Sequence, residues 1–328
     1  MNRFFRLETL RKLLSGPESK KANTFMDELK KEAEIFTEVA NSLKEKGFEP
    51  EKKDKVSEAD KNKPTYSGKV TIPAAKRGVT VKTPDNPIIN GKYNVFFQIR
   101  HGRNPTKSGV NTIIVEAEAG GMGSSENTAA FGNSAWVNKQ LGIIQSTLSK
   151  KFGSVSLGKL GFGSFSGGYD AVGNILRDKK LSEKIDSVVV LDGIHHGQRG
   201  KPNAAAMKAW VDFAAKAKND PNKKFVFLYT AVDPGTYAST SDSANYIMNN
   251  IGVENKKTEE GHRQFAGVRP AAVGSEGGFN AIQLYERKTD KPGYGYNLKD
   301  AKAQHINAAK AMPDIWNEYL YEDWNTIS

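Results

Sequence analysis

From about Tyr66 onward, short apolar runs alternate with stretches of helical spacing. The runs at 93–102 and 111–121 are almost continuously apolar in their centres, which predicts strands buried on both faces, as in a parallel sheet. Further strands are expected at 155–165, 185–193, 223–233 and 278–287, and two early ones at 68–74 and 78–84, paired as a hairpin. Between them, 134–152 carries Trp136, Leu141, Ile144 and Leu148 at helical spacing, and 168–178, 204–217 and 241–252 read as helices. The helix at 241–252 starts at a capping Ser or Asp and stops at Gly252. The last helical region, 301–320, is interrupted at Pro313, a residue suited to starting a second helix. Strands alternating with helices imply an α/β fold: a mostly parallel sheet with helices on both faces, with active groups at the carboxyl ends of the strands.

The first 65 residues have another pattern. Met26, Leu29, Ala33, Phe36, Ala40 and Leu43 recur at alternating steps of three and four, predicting one long helix between Glu18 and Gly47. Phe25, Ile35 and Val39 widen the stripe, as expected of a helix that packs on a globular body; self-association through it is the other reading. The charged stretch from Pro50 to Pro64 reads as a linker. Two regions are therefore expected, an N-terminal helical extension with linker at 1–65 and an α/β domain at 66–328.

Composition narrows the chemistry. With no cysteine, disulfides, zinc–thiolate sites and thiol nucleophiles are excluded. No apolar run approaches the roughly 18 residues that read as a membrane span. Glu8 and Arg11 break the apolar N-terminus, Met1 to Leu14, as an export signal, so a cytoplasmic location is the default and a virion or cell surface stays open. That segment could equally form a basic amphipathic helix. The net charge of +11 suits an anionic partner, but no zinc-finger or RNA-binding signature accompanies it.

The most informative stretch is Gly163-Ser164-Phe165-Ser166-Gly167-Gly168, placed after an apolar strand and before a helix. A side chain held on a sharp strand-to-helix turn forces the residues two before and two after it together, so both must be small. Around Ser166 these are Ser164 and Gly168; around Ser164 one is Phe162, which is too large. Ser166 is thus the candidate nucleophile. Here the chain resembles the α/β-hydrolase superfamily, of the serine esterase and lipase kind, over roughly residues 66–328. The family's Gly-x-Ser-x-Gly has Ser164 at its first position in this chain.

The resemblance implies the chain order nucleophile, acid, histidine. Of five histidines, His305 lies after the last expected strand and fits best as the base; His262 ranks second. Asp192 and Asp233 each end a strand, and either could orient the histidine; Asp192 is preferred as the lipase-like placement, with Asp233 the alternative. The resemblance further implies an oxyanion hole from the amide of Gly167 and that of Gly102 or Arg103. Arg100, His101, His195 and Tyr237 fall at strand ends or in loops where they could contact substrate, although a surface position is the plainer reading for an arginine. The Gly-rich segment 118–127 lacks the Gly-Lys-Ser/Thr ending of a phosphate loop and is expected to be a mobile loop at the pocket rim.

The function these features imply is cleavage of an ester, or an amide, by a Ser–His–Asp triad, with no cofactor and no metal. The substrate would be a small-molecule or polymer-borne ester. The alternative is an α/β-hydrolase fold used for binding or assembly, with the basic surface as its working part.

Overall fold

The computed structural model describes residues 70–100, 111–120, 124–230, 232–255, 270–284 and 301–325. All lie in the second of the two units into which the chain divides, Lys63–Ser328. The expected N-terminal helix, His101, Gly102, Arg103 and His262 lie outside the described residues.

Its strands are β1 (Val79–Lys82), β2 (Lys92–Ile99), β3 (Thr112–Ala117), β4 (Ser156–Phe165), β5 (Ser187–Leu191), β8 (Lys224–Thr230), β9 (Pro270–Glu276) and β10 (Phe279–Leu284). They form one sheet in the order β1-β3-β2-β4-β5-β8-β10-β9. The six strands from β3 to β10 in that order run parallel. Only the two edge strands, β1 and β9, are antiparallel to their neighbours. A small separate hairpin joins β6 (Gly197–Gln198) and β7 (Lys201–Pro202).

Burial explains the apolar runs. Every residue of β5 is buried, and successive side chains serve opposite faces. Val188, Val190, Phe225 and Phe227 join one core. Val189, Leu191, Val226 and Leu228 join another. The first core is covered by helices α1 (Ser124–Phe131), α2 (Ser134–Phe152), α3 (Tyr169–Arg177), α5 (Ala204–Asn219) and α6 (Thr240–Ile251), through side chains such as Phe131, Val137, Ile144, Val172, Trp210 and Ile247. A short helix, α4 (Lys179–Lys184), follows α3. The second core is covered by the C-terminal helices α7 (Ala301–Lys310), α8 (Met312–Ile315) and α9 (Tyr321–Asn325), the last two joined by a π turn. The α/β class with helices on both faces is thus the one observed.

Close packing on the second face depends on missing side chains. A Cβ at Gly161 would stand 2.6 Å from Phe96 and 2.8 Å from Trp324. Phe96 meets Trp316 and Trp324 edge-on at 5.2 and 5.8 Å between ring centroids. Burying each such aromatic contributes about 2–3 kcal/mol. This cluster seats the C-terminal helices, and so sets where His305, on α7, can reach.

The structure corrects the sequence reading in three places. Residues 70–74 form no strand, and β1 pairs with β3 instead of making an early hairpin; Val70 and Ile72 are buried all the same. The segment expected as a rim loop turns helical at Ser124. Strand β9 was not anticipated; an edge strand opening on Pro270 gives little periodic signal.

Candidate active site

The chain leaves β2, adds β3 on one side of it, and returns to place β4 on the other. The strand order therefore reverses between β2 and β4, and ligand crevices in open α/β sheets form outside the carboxyl ends at such a point. Arg100 follows β2 and Ser166 follows β4, so both stand at the switch. A cavity of about 650 Å³ opens there, lined by Arg100, Ser166, Gly167, Asp192, His195 and His305 among others.

Ser166 opens a single 3-10 turn between β4 and α3, with φ at 48°. A non-glycine residue in the left-handed region is strained by about 1–3 kcal/mol and needs surrounding structure to hold it. That structure is visible. Ser164 is fully buried, and a Cβ at Gly168 would meet the Ile99 carbonyl oxygen at 2.4 Å. A Cβ at Gly193 would likewise come within 2.9 Å of the Ser166 carbonyl oxygen. At Gly168 the small residue expected from the sequence is required sterically, by its approach to the strand end at Ile99.

Asp192 follows β5, also at positive φ (42°), and is buried. Its Oδ2 lies 2.7 Å from His305 Nδ1. Its Oδ1 accepts from the Thr230 amide (3.0 Å), the Thr230 hydroxyl (2.9 Å) and the Thr240 hydroxyl (2.8 Å). Burial pushes the carboxyl pKa up, but the hydrogen bond and charge of His305 and the two threonine hydroxyls outweigh it and hold the group below the usual carboxylate value. Asp233 is placed differently. It pairs with Arg199 and accepts from the Gly235 amide at 2.8 Å, closing its own turn. The structure therefore brings Asp192 to His305 and leaves Asp233, the alternative acid of the sequence reading, at the surface.

His305 stacks at a tilt on Phe165, 4.6 Å between centroids, and Arg100 lies 6.0 Å from the same ring on its guanidinium carbon. Phe165 thus packs against both polar side chains. The Ser166 hydroxyl takes a hydrogen bond of 3.0 Å from Arg100 Nη1. Arg100 was the residue for which a plain surface role seemed simplest; it lines the cavity instead.

His195 and Tyr237 also line the cavity. The His195 ring sits edge-on to Tyr237 at 5.0 Å and to Tyr169 at 5.8 Å. Burial lowers its pKa, favouring the neutral ring. Nδ1 then carries the proton, which it donates to the Ala238 carbonyl at 3.1 Å. Gly167 lines the cavity beside Ser166, as an oxyanion donor would have to. Thr230 and Thr240 were not singled out from sequence. A threonine ending a strand and another starting a helix look like ordinary cap and strand residues, and only their convergence on Asp192 gives them meaning. Among the described residues no cluster of His, Asp and Glu could hold a metal ion, and no helix is long and apolar enough to cross a membrane.

Similar solved structures include a dienelactone hydrolase-like promiscuous phosphotriesterase from metagenomic libraries, 12% identical, with a TM-score of 0.32 over 69% of this chain and 86% of that one. An esterase from the Planctomycetes species Thermogutta terrifontis, solved with butyrate bound, is 9% identical, with a TM-score of 0.37 over 77% and 94%. An acylaminoacyl peptidase from Pyrococcus horikoshii is 10% identical, with a TM-score of 0.34 over 70% of this chain and 37% of that one. No protein-family model and no curated protein matches the sequence. Likeness at these scores carries nothing about activity. The sheet order and the strand–turn–helix at Ser166 are what make the architecture α/β-hydrolase-like.

Proposed function

We propose that this protein is a serine hydrolase that cleaves carboxylic esters through Ser166, His305 and Asp192. The observation that carries the reading is the 2.7 Å contact between His305 Nδ1 and a fully hydrogen-bonded, buried Asp192, in the cavity that Ser166 enters from a strained turn. With Nδ1 protonated against Asp192, His305 has Nε2 free to take a proton. Ser166 Oγ then attacks the ester carbon and its proton passes to His305. The carbon–oxygen bond to the alcohol breaks, and the alcohol leaves with that proton. Water, activated by the same imidazole, cleaves the acyl–serine bond and releases the acid. Gly167 supplies one amide to the developing oxyanion, and Gly102 or Arg103 a second.

One observation favours the non-catalytic alternative. Among the described residues, Ser166 Oγ is bonded to Arg100 and not to His305. Labelling with a fluorophosphonate probe decides between the two. The hydrolase reading expects stoichiometric labelling that Ser166→Ala abolishes, together with loss of nitrophenyl-ester hydrolysis by a factor of about 10³ or more. Labelling that persists in Ser166→Ala removes the nucleophile assignment, and a wild type that neither labels nor turns over removes the enzyme.

A further inference from the structure

The cavity contains a cation that a Ser–His–Asp mechanism does not require. Arg100 follows β2 at a φ of 59°, with its backbone amide committed to the Ala117 carbonyl at 2.8 Å. Its side chain is half-buried and reaches across Phe165 to Ser166 Oγ. Among the described residues no carboxylate pairs with it. The carboxylate lining the cavity, Asp192, is committed to His305, Thr230 and Thr240. His195 is kept neutral by burial. The described walls thus present one permanent positive charge, with one of its five N–H donors used on Oγ.

A partly desolvated guanidinium without a counter-charge is costly, and an anion on the ligand offsets that cost. We infer, on the basis of the serine-hydrolase reading, that Arg100 anchors an anionic group on the acyl side of the substrate, and that the preferred substrates are esters whose acyl chain bears a carboxylate close to the scissile carbonyl. Distance sets how close. The attacked carbon must come to about 3–3.5 Å from Oγ, and Arg100 Nη1 is already 3.0 Å from it, so only a short spacer of about one to three atoms fits. The planar guanidinium fork matches the two oxygens of a carboxylate. Arg100 donates to Oγ, so the hydroxyl keeps its own proton for His305 while the remaining guanidinium N–H groups hold the carboxylate beside it.

The test compares kcat/KM for the p-nitrophenyl hemi-esters of succinate and glutarate with that for p-nitrophenyl butyrate, in wild type, Arg100→Gln and Arg100→Lys. The hemi-ester to butyrate ratio should exceed unity in wild type. It should fall by about 100-fold in Arg100→Gln, chiefly through KM, and recover in part in Arg100→Lys. Taking a ratio cancels any loss of folded enzyme. Succinate should also protect Ser166 from fluorophosphonate labelling at concentrations where butyrate does not. A ratio at or below unity, or one indifferent to Arg100, overturns the anchor while leaving the hydrolase intact. Absence of both labelling and turnover removes the hydrolase itself, and the anchor with it.

Discussion

The two halves of the candidate site are built to different standards. On the acid side, Asp192 is buried and takes four hydrogen bonds from His305, Thr230 and Thr240, donors drawn from three separate elements. On the serine side, Ser166 opens a sterically confined turn, and among the described residues its hydroxyl has a single partner, Arg100. The difference separates two tasks. On the serine-hydrolase reading, the acid keeps an imidazole oriented through the whole reaction, which calls for an over-determined geometry. On the same reading the hydroxyl gives up its proton, so its backbone is fixed while its side chain is lightly held.

This contrast can be broken from the acid side first. Asp192→Asn keeps the shape but loses the charge that stabilises the imidazolium; kcat for ester hydrolysis should fall by about 10⁴-fold, measured at saturating substrate. Thr240→Val removes one hydroxyl and leaves the rest. It should cost about 1.5–3 kcal/mol of unfolding free energy, as for a hydrogen bond to a charged group, and lower kcat by about 10-fold. The pH dependence of this loss is informative. The folded pKa of Asp192 is depressed, so its contribution to stability is fully present above the unfolded value of about 3.9 and disappears as pH falls through the folded value. Denaturation of wild type and Thr240→Val should therefore differ near neutrality and converge in strong acid; a constant difference would mean that the hydroxyl matters for packing alone. The smallest effect is expected at Asp233, whose carboxylate serves, among the described residues, Arg199 and its own turn. Asp233→Asn should change kcat/KM less than about 2-fold, in keeping with a surface pair worth 0–1 kcal/mol. A large loss there would restore Asp233 as a rival acid.

What was legible in the sequence follows the same physics. The central strands could be read because they are buried on both faces, which removes polar alternation and leaves plain apolar runs such as Ser187–Leu191. The turn at Ser166 could be read because its steric rule acts between residues two positions apart. The sequence favours Asp192 over Asp233 only by a family-like placement, since both end strands and what distinguishes them, Thr230 and Thr240, is brought together only by folding. Edge strand β9 was missed because, starting from Pro270, it has little local pattern to show. Arg100 was undervalued because a side chain's direction at a strand end depends on the backbone, and its φ of 59° has no signature in sequence.

The packing around Gly161 has a consequence for how such a site would fail. His305 rides on helices that rest on the second core, around Phe96, Trp316 and Trp324, while the helix after Ser166 packs on the first. His305 can therefore be displaced by local opening of the C-terminal segment, without melting the sheet. The C-terminal helices and β5 form distinct cooperative units on this view. Slow amide exchange would persist in β5 after the helix carrying His305 had begun to exchange, and the contact between His305 and Asp192 would come apart at the boundary between them.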